Sequence, residues 1–515
     1  MKTNQELPLG LETIVSRLNF GYEGPENVNG LDIFTVDLMD WNLRLTEKNP
    51  VIWIKPQDLK GKSSFEVIEQ VQDVVRSRRW QNAINLVFID TNTSEIETLK
   101  ASTMPTFVII NLDQQKTIQE ADSPTAATLD ILLSQLSRTQ LSPFEVNKPV
   151  EGNQFFGRST EINKVLQHPE NNYLFLGLRR IGKTSLLKEI HRRMDKNDPP
   201  RGDKIPRIFV DCSMMGTEDD FLKHITYKLA PKESKMLLRR ASESSRYKSM
   251  MFERFAKIHG APVTFFLDEL DRLLVNLGGG HELFDLLRAA WGEGYARFIM
   301  AGYRKAALAY TDQKGPFYNF TNVERLLNLK KPDLSNMIKR NFEDLRVTIK
   351  NRETFINRVF RETAGHPNYV QYYCKTILNY LEEEDRDEIS EDDLGLIYRD
   401  RGFRDHVIGT FETNTDVIER ALVYVLILEF NDPTVVIRFD QRDMDRILNE
   451  AGISLRMELL NRACRNLDNV GIFRQERHSY EFNIPLFQKM LSEAQDVEFQ
   501  FEKIREEILT SPSLE

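Results

Sequence analysis

The sequence predicts an α/β protein whose main domain contains a parallel sheet of five strands. Short apolar runs begin near Tyr173, Arg207, Val263, Arg297 and Val323, and helical patterns lie between them. This alternation is typical of parallel strands joined by helical crossovers. A chain of 515 residues is too long for one hydrophobic core, so we expect about three to four domains.

The bulk composition is that of a soluble globular protein. With 41% hydrophobic residues, 29% charged residues and a net charge of -9, the chain does not resemble a protein that coats nucleic acid. The three cysteines are too few and too widely spaced for a disulfide or zinc framework. The N-terminus lacks the apolar core of a signal peptide, and the longest apolar run, residues 421–428, is too short to span a membrane. These features predict a cytoplasmic protein that makes no membrane contact.

The stretch Tyr173–Leu187 joins an apolar strand, the pattern Gly-x-x-x-x-Gly-Lys-Thr and an amphipathic helix. Gly177 and Gly182 permit the tight turn that directs successive N–H groups towards phosphates at a helix N-terminus. Lys183 has the reach and charge for the β- and γ-phosphates, and the Thr184 hydroxyl suits the Mg²⁺ ion that bridges them. The sequence therefore predicts a nucleotide site with bound magnesium.

A second strand supplies acidic residues to the same site. The apolar run from Val263 ends in Asp268 and Glu269. Asp268 is predicted to hold Mg²⁺, and Glu269 to orient and deprotonate the attacking water. The alternative is a buried strand followed by an acidic helix start. The phosphate loop upstream favours the catalytic interpretation, which makes the protein competent for hydrolysis.

The loop and the segment before it resemble a known family. A Phe-Gly-Arg triplet precedes a helix, and Gly-Leu-Arg-Arg-Ile-Gly-Lys-Thr-Ser-Leu-Leu follows it. This pattern resembles the AAA-like ATPases of the STAND group (signal-transduction ATPases with numerous domains) and the related archaeal-type ATPases. The resemblance implies that ATP and ADP are the nucleotides and that Phe156 and Arg158 contact the base and ribose. It also places Arg179, Arg180 and Ser185 among the nucleotide-binding residues.

The resemblance implies two further site residues. In the family, a polar or basic residue at the tip of the strand from Ala296 senses the γ-phosphate, and Arg304 has that chemistry. An arginine in a surface turn is the alternative. Gly365-His366-Pro367 resembles the Gly-x-Pro element of the helical lid, in which the proline lies against the adenine. On its own this triplet is a helix stop and restart, and His366 is expected to cap or pack.

Residues 1–145 are predicted to form a small α/β domain. Strand patterns cover residues 31–36, 50–55, 85–90 and 106–111, and helical patterns cover residues 64–76, 94–102 and 125–137. Residues 104–116 resemble the second half of thioredoxin-like domains, which implies a cis-proline, a strand, a turn and a final helix. Residues 55–59 hold no Cys-x-x-Cys, which excludes disulfide chemistry.

A receiver-like domain is the competing interpretation of this segment. It would make Asp90 a phosphoacceptor, although a turn-forming Asp at a strand end is favoured. We interpret residues 1–145 as an adaptor or sensor that binds a protein partner.

The core is predicted to span residues 146–330, followed by a helical lid at 331–410. In residues 411–515, helical patterns at 416–429, 440–451 and 454–468 precede a hairpin at 471–476 and 478–483, and a closing helix begins at residue 485. This order predicts a winged helix-turn-helix in which Ser454 is an N-cap.

The presumed recognition helix of this unit suggests DNA binding, because it carries Arg456, Arg462 and Arg465. Residues 416–495 carry 10 Lys and Arg against 13 Asp and Glu, a net charge of -3, which disfavours it.

Three functions are compatible with these features. The first is a STAND-type switch, closed with ADP and opened by ATP and a signal, which then self-associates and is reset by slow hydrolysis. The second is a DNA-binding ATPase of the replication-initiator or transposition-regulator type. Initiator loops normally read Gly-Thr-Gly-Lys-Thr, whereas this chain has Arg-Ile-Gly-Lys-Thr. The third is a nucleotide-gated scaffold without turnover, which requires Glu269 to be ineffective.

Overall fold

The computed structural model describes residues 7–18, 21–38, 41, 43, 49–81, 83–92, 106–197, 205–278, 282–312, 315–430, 438–469, 471–494 and 496–510. Within these ranges no helix combines the length and apolar character needed to cross a membrane.

The first part of the chain contains a mixed sheet in the order β1-β2-β3-β4-β5. The β1–β2 and β2–β3 pairs are antiparallel, and the β3–β4 and β4–β5 pairs are parallel. The strands are β1 Tyr22–Val28, β2 Leu31–Val36, β3 Asn49–Ile54, β4 Asn85–Ile89 and β5 Phe107–Ile110. The helices are α1 Leu9–Leu18, α2 Ser64–Ser77, α3 Leu112–Glu120, α4 Pro124–Leu133 and α5 Arg138–Leu141.

Helix α3 replaces the turn that the thioredoxin-like resemblance implied after the last strand. Asn111 and Gln114 form a capping box at its start, and only Gln115 and Ile118 are buried. The helix therefore depends on its cap and shows little apolar periodicity. The predicted helix at residues 94–102 and the expected cis-proline at residue 105 lie outside the described residues.

Asp90, the candidate phosphoacceptor, lies at the end of β4 with both carboxylate oxygens engaged. Trp53 Nε1 donates to one oxygen at 2.8 Å, and Gln115 Nε2 donates to the other at 3.3 Å. The Gln115 side chain also accepts from the backbone of Gly10 at 3.3 Å. Asp90 thus belongs to a polar network that ties α1 and α3 to the sheet.

The main sheet confirms the predicted α/β class. Its five strands are all parallel in the order β10-β6-β9-β8-β7. They are β6 Tyr173–Leu176, β7 Arg207–Asp211, β8 Val263–Asp268, β9 Ala296–Gly302 and β10 Asn322–Arg325. The sequence pattern predicts a last strand over residues 323–329, whereas β10 ends at Arg325, where the chain leaves the sheet. Parallel strands bring the ends of β6, β7, β8 and β9 to one edge, where ligands bind in such folds.

Helices surround this sheet. They are α6 Ser159–Gln167, α7 Lys183–Asn197, α8 Glu218–Leu229, α9 Ser234–Ala241, α10 Ser245–His259, α11 Leu270–Asn276, α12 Glu282–Gly292 and α13 Arg304–Thr311. One apolar cluster fills one face of the sheet and continues into the helices that follow the sheet, while a second cluster fills the other face under α8, α10 and α12.

A helical segment follows the sheet. It comprises α14 Lys331–Asp344, α15 Arg352–Thr363, α16 Pro367–Glu383 and α17 Arg401–Asn414, with the short parallel pair β11 Thr348–Ile349 and β12 Glu388–Ile389. The first part of the chain is anchored here. The Arg138 amide donates to Glu382 at 2.9 Å, and Arg346 forms an ion pair with Asp130 at 2.8 Å.

The C-terminal elements occur in the predicted order. They are α18 Val417–Glu429, α19 Gln441–Glu450, α20 Met457–Asn469, the hairpin β13 Phe473–Glu476 and β14 Ser479–Phe482, α21 Pro485–Ala494 and α22 Val497–Leu509. The prediction that Ser454 caps the third helix is wrong. Ile453 is buried, the chain runs to Arg456 without helical structure, and the Arg456 carbonyl accepts the first helical hydrogen bonds.

Candidate functional site

The phosphate loop is shaped by close backbone packing. A Cβ atom at Gly177 would lie 2.9 Å from Ile181 Cγ2 and 3.2 Å from Leu326 Cβ, tighter than ordinary contacts. Gly182 has a φ of +95°, a conformation that side-chain-bearing residues rarely adopt. Helix α7 begins at Lys183, directly after this glycine, so the loop leads into a helix N-terminus as the motif requires.

Lys183 is buried inside the loop. Its Nζ donates to the carbonyl oxygens of Gly177 at 2.9 Å and Leu178 at 2.6 Å. Burial lowers the pKa of Lys183, and the nearby carboxylates of Glu269 and Asp268 oppose that shift. The loop therefore holds a cation whose present partners are neutral carbonyl groups, which an incoming phosphate can replace.

Thr184 and Asp268 meet at the end of β8. The Thr184 hydroxyl donates to Asp268 Oδ2 at 2.7 Å. Burial raises the pKa of Asp268, while the hydrogen bonds from Thr184 and the Glu269 amide lower it. A hydroxyl and a carboxylate oxygen in contact are the ligand types that Mg²⁺ prefers, so these two residues fit the predicted metal role.

Glu269 follows Asp268 in a left-handed conformation with φ of +53°. Its amide donates to Asp268 Oδ1 at 3.0 Å. Its half-buried carboxylate makes no hydrogen bond or ion pair with any residue that the structure describes. A carboxylate beside the buried Lys183, with its oxygens available, suits the activation of a water molecule.

Asp271 is a site residue that the sequence analysis did not single out. Its Oδ1 accepts from the Lys305 amide at 2.6 Å, and its Oδ2 accepts from the Tyr303 amide. It thereby fixes the segment that carries Arg304. The available signal was the third acid in Leu-Asp-Glu-Leu-Asp. Its partners lie after the end of another strand, and nothing in the local sequence indicates that contact.

Asp211 is a second acid at this edge. It lies beside Asp268 in the β7–β8 pairing and contributes to raising the pKa of that neighbour. Its own Oδ1 accepts from the Ser213 amide at 2.9 Å. Asp211, the exposed last residue of β7, gave no clear sequence signal, because Asp is also a common turn former.

The predicted sensor, Arg304, contacts the C-terminal elements. Its guanidinium donates to Glu419 at 2.6 and 3.1 Å and to the Asn414 carbonyl at 2.5 Å. Glu419 is fully buried and also accepts from Asn466 at 2.8 Å. Burial lowers the pKa of Arg304, but its bonds to Glu419 and Tyr303 outweigh that effect, so the net shift is upward.

Other contacts bring the C-terminal elements onto the phosphate loop. A Cβ atom on Gly471 would lie 3.3 Å from Leu178 Cδ1, so the backbone after α20 touches the loop. Arg325, at the end of β10, donates to Asn469 at 3.3 Å. Together with the Arg304 pair, these contacts close the C-terminal elements against the edge of the sheet.

The remaining loop residues have different surroundings. Arg179 is exposed, whereas Arg180, with φ of +64°, contacts the His406 ring on α17. The Ser185 hydroxyl accepts from the Val150 amide at 3.0 Å. Ser185 therefore holds the segment that precedes α6, and Arg180 connects the loop to the helical segment.

Arg158 connects the phosphate loop to the chain that follows β10. It donates to the carbonyl of Leu327 and, at 3.4 Å, to that of Ile181. Phe156 is half-buried against the main apolar cluster. Pro367 is the half-buried first residue of α16. The structure therefore brings Arg158 to the loop, while the base-side roles of Phe156 and Pro367 stay predictions.

His366 caps α16, as the sequence suggested. Its side chain accepts from the Tyr369 amide, and the residue is 3% exposed. Burial, with the cations of Arg158 and Arg180 nearby, lowers the pKa of His366 to about 3. Burial and Arg180 lower the pKa of His406 to about 4. Two histidines next to the loop are thus held neutral.

We expect these histidines to make the protein acid-labile. Below pH of about 6.5 the unfolded chain binds protons that the folded chain excludes, so the free energy of unfolding falls as the pH drops towards 4. His366→Asn retains a capping group and should make the decline shallower by up to about 1.4 kcal/mol per pH unit. Urea unfolding at pH 7.5, 5.5 and 4.5 measures this slope. The exposed His478→Asn variant should keep the wild-type slope, and an unchanged slope in His366→Asn would contradict the assignment.

The parallel sheet, the glycine-lined loop and the Thr184–Asp268 pair define a P-loop ATPase domain. Residues 167–307 match the family model of the AAA domain. No curated protein matches the chain in sequence.

Solved structures share this fold. A Walker-type ATPase of Pyrococcus abyssi is 18% identical with a TM-score of 0.50, and the match covers 67% of this chain and 99% of that chain. The ORC2 protein of Aeropyrum pernix, solved with ADPNP and ADP, is 17% identical with a TM-score of 0.52, and the match covers 72% of this chain and 98% of that chain. At these identities the likeness concerns the fold alone.

Proposed function

We propose that this protein is a STAND-type ATPase that switches between a closed and an open conformation according to its nucleotide. The observation that supports the proposal is the ion pair between Arg304 and Glu419. The side chain predicted to sense the γ-phosphate is engaged by a buried carboxylate of the C-terminal elements. An arginine that can bind either a carboxylate or a phosphate couples nucleotide state to domain position.

The site residues have defined roles in this proposal. Lys183 and the amides of the loop bind the phosphates, Arg158 holds the loop against the chain that follows β10, and Glu269 takes a proton from the attacking water. Thr184 and Asp268 would hold a magnesium ion, which would neutralise charge on the phosphate oxygens. Hydrolysis is slow in this scheme, because it resets a conformation and does not drive continuous work.

The contacts around the loop support a closed resting state. Leu178, Arg304 and Arg325 each contact the C-terminal elements, which we interpret as a winged helix. Opening would separate these contacts and permit self-association. Residues 1–145 are proposed to bind the protein partner that delivers the signal, in the cytoplasm.

Light scattering with ADP, with ATP and Mg²⁺, and without nucleotide tests the switch. We expect the measured mass to increase with ATP and to remain that of a monomer with ADP. Lys183→Ala removes the phosphate-binding cation and should remain monomeric in all three conditions, which provides the control. A wild-type mass that is the same with ATP and ADP would overturn the switch.

A DNA-binding ATPase is the second candidate, because three arginines on or near α20 are exposed. Arg456, Arg462 and Arg465 make no ion pair with the described residues, whereas Arg474 in the hairpin is paired with Glu481. Fluorescence anisotropy with a labelled duplex separates the two candidates. The measurement is made at about 50 and about 200 mM salt, because phosphate contacts weaken steeply over this range. An affinity that falls steeply with salt would favour DNA binding, and an absence of binding would favour the switch.

A further inference from the structure

A groove with exposed apolar walls lies between α9 and α10. It encloses about 600 Å³, and its walls include Met236, Met250 and Met251. Met236 and Met250 are 40% and 46% exposed, unusually high values for large apolar side chains. Methionine is flexible and polarisable, so a surface of this kind adapts well to an inserted apolar side chain.

The groove lies in a strongly basic part of an acidic chain. Residues 232–257 contain eight Lys and Arg against three Asp and Glu, a net charge of +5, whereas the whole chain has a net charge of -9. Arg254 and Lys257 are paired with Glu233 and Glu253. Arg239, Arg240 and Arg246 make no ion pair within the described ranges. Arg240 lies in the groove wall, and Arg239 and Arg246 lie on the same two helices, so unpaired positive charge stands beside exposed apolar surface.

Helix α22 carries the complementary surface. Its buried face packs on α18 through residues such as Phe501 and Ile504. On the opposite face, Phe499 is 64% exposed and Leu509 is 62% exposed. Glu502 and Glu506 lie between them at helical spacing, on the same face. This stripe is about 15 Å long at 1.5 Å per residue, which is comparable with α9.

We propose that α22 of one molecule docks into the α9–α10 groove of a second copy. Phe499 and Leu509 enter the methionine-lined groove, and Glu502 and Glu506 face the unpaired arginines. The two surfaces differ, so the contact is head-to-tail and generates a ring or a filament. The inference rests on the proposed function, because it names the surface through which the opened protein self-associates.

A second copy explains both surfaces together. A nucleic-acid backbone would satisfy the arginines but would leave Met236 and Met250 in contact with water. An acidic amphipathic helix satisfies both features of the groove, and α22 has that composition, with four Glu against one Lys and one Arg.

Charge reversal tests this contact in the full chain. Arg239→Glu with Arg240→Glu changes the groove, and Glu502→Lys with Glu506→Lys changes the helix. Light scattering in ATP and Mg²⁺ should show at least a tenfold weaker assembly for each variant alone. A mixture of the two variants should recover assembly with the two variants alternating, because the altered groove of one matches the altered helix of the other and their two wild-type surfaces also match. The same charge change at the exposed Glu383 and Asp387 is the matched control and should leave assembly unchanged.

The outcomes separate this contact from the switch itself. If the wild type assembles with ATP and both charge reversals assemble equally well, the contact is wrong and the switch stands. If the wild type shows no ATP-dependent assembly, both are overturned. Thermal unfolding and binding of a fluorescent ADP verify that each variant is folded.

A photo-cross-linker at Met250 gives an independent measurement. In a mixture of isotopically light and heavy protein, we expect intermolecular cross-links to residues 497–509. Cross-links confined to other segments, or to added duplex DNA or another protein in a lysate, would overturn the assignment of α22 as the occupant.

Discussion

Glu269→Gln should reduce the rate of ATP hydrolysis by about 10² to 10⁴ while the protein still binds ATP. The substitution preserves the size of the side chain and removes its ability to accept a proton. Glutamine also has a Cβ atom, so the left-handed backbone at φ of +53° is no more strained than in the wild type. Phosphate release under single-turnover conditions measures the rate, and equilibrium titration with a fluorescent ATP measures the affinity.

A matched variant distinguishes chemistry from a general loss of charge. Glu282→Gln changes an exposed carboxylate at the start of α12, away from the phosphate loop, and should hydrolyse ATP at the wild-type rate. If Glu269→Gln also retained the wild-type rate, Glu269 would not be the base, and the nucleotide-gated scaffold without turnover would become the better explanation. If the variant bound ATP more weakly but hydrolysed bound ATP at the wild-type rate, Glu269 would be a binding residue.

The parts of the fold that the sequence predicted well are those in which local pattern and burial agree. Strands β6, β8 and β9 are predominantly apolar and become fully buried, and the Gly-Lys-Thr motif marks the turn between β6 and α7. Strand β1 was missed because Tyr-Glu-Gly-Pro-Glu-Asn-Val has no apolar alternation. It is an edge strand with a register shift between Glu23 and Glu26, where a proline can be accommodated.

The candidate site also contains some residues that a local pattern indicates and others that depend on long-range contacts. The positions of Lys183 and Thr184 were predictable, because a strand that leads into a glycine-rich loop and a helix is a single local structure. Asp268 was predictable because it ends a second apolar strand downstream of that loop. The roles of Asp271 and Glu419 were not predictable, because each depends on contacts between elements far apart in sequence. Asp271 binds the chain after β9, and Glu419 binds Arg304 from 115 residues away. The sequence around a single acidic residue in a helix does not indicate which distant residue it contacts.

The Arg304–Glu419 pair is the most direct test of the switch, because it joins two parts of the protein that the switch would separate. Glu419→Gln keeps the shape of the side chain but leaves Arg304 without its charge partner in a buried setting. Breaking one side of a buried ion pair costs about 3 to 5 kcal/mol, and here the cost falls on the closed state because the pair joins the core to the C-terminal elements. We therefore expect ADP to dissociate at least tenfold faster and ATP-dependent assembly to occur at lower nucleotide concentration.

A double-mutant cycle isolates the pair from effects of each residue alone. Arg304→Gln with Glu419→Gln removes both charges, so no unpaired ion remains buried, and the double variant should lose less closed-state stability than the sum of the single variants. Stopped-flow release of a fluorescent ADP from all four proteins measures the coupling, and Glu412→Gln, an exposed acid on α17, is the control. Additive effects would mean that the pair does not hold the closed state. A non-additive result in ADP that disappears in ATP would mean that Arg304 exchanges Glu419 for the nucleotide, which is the event that the switch requires.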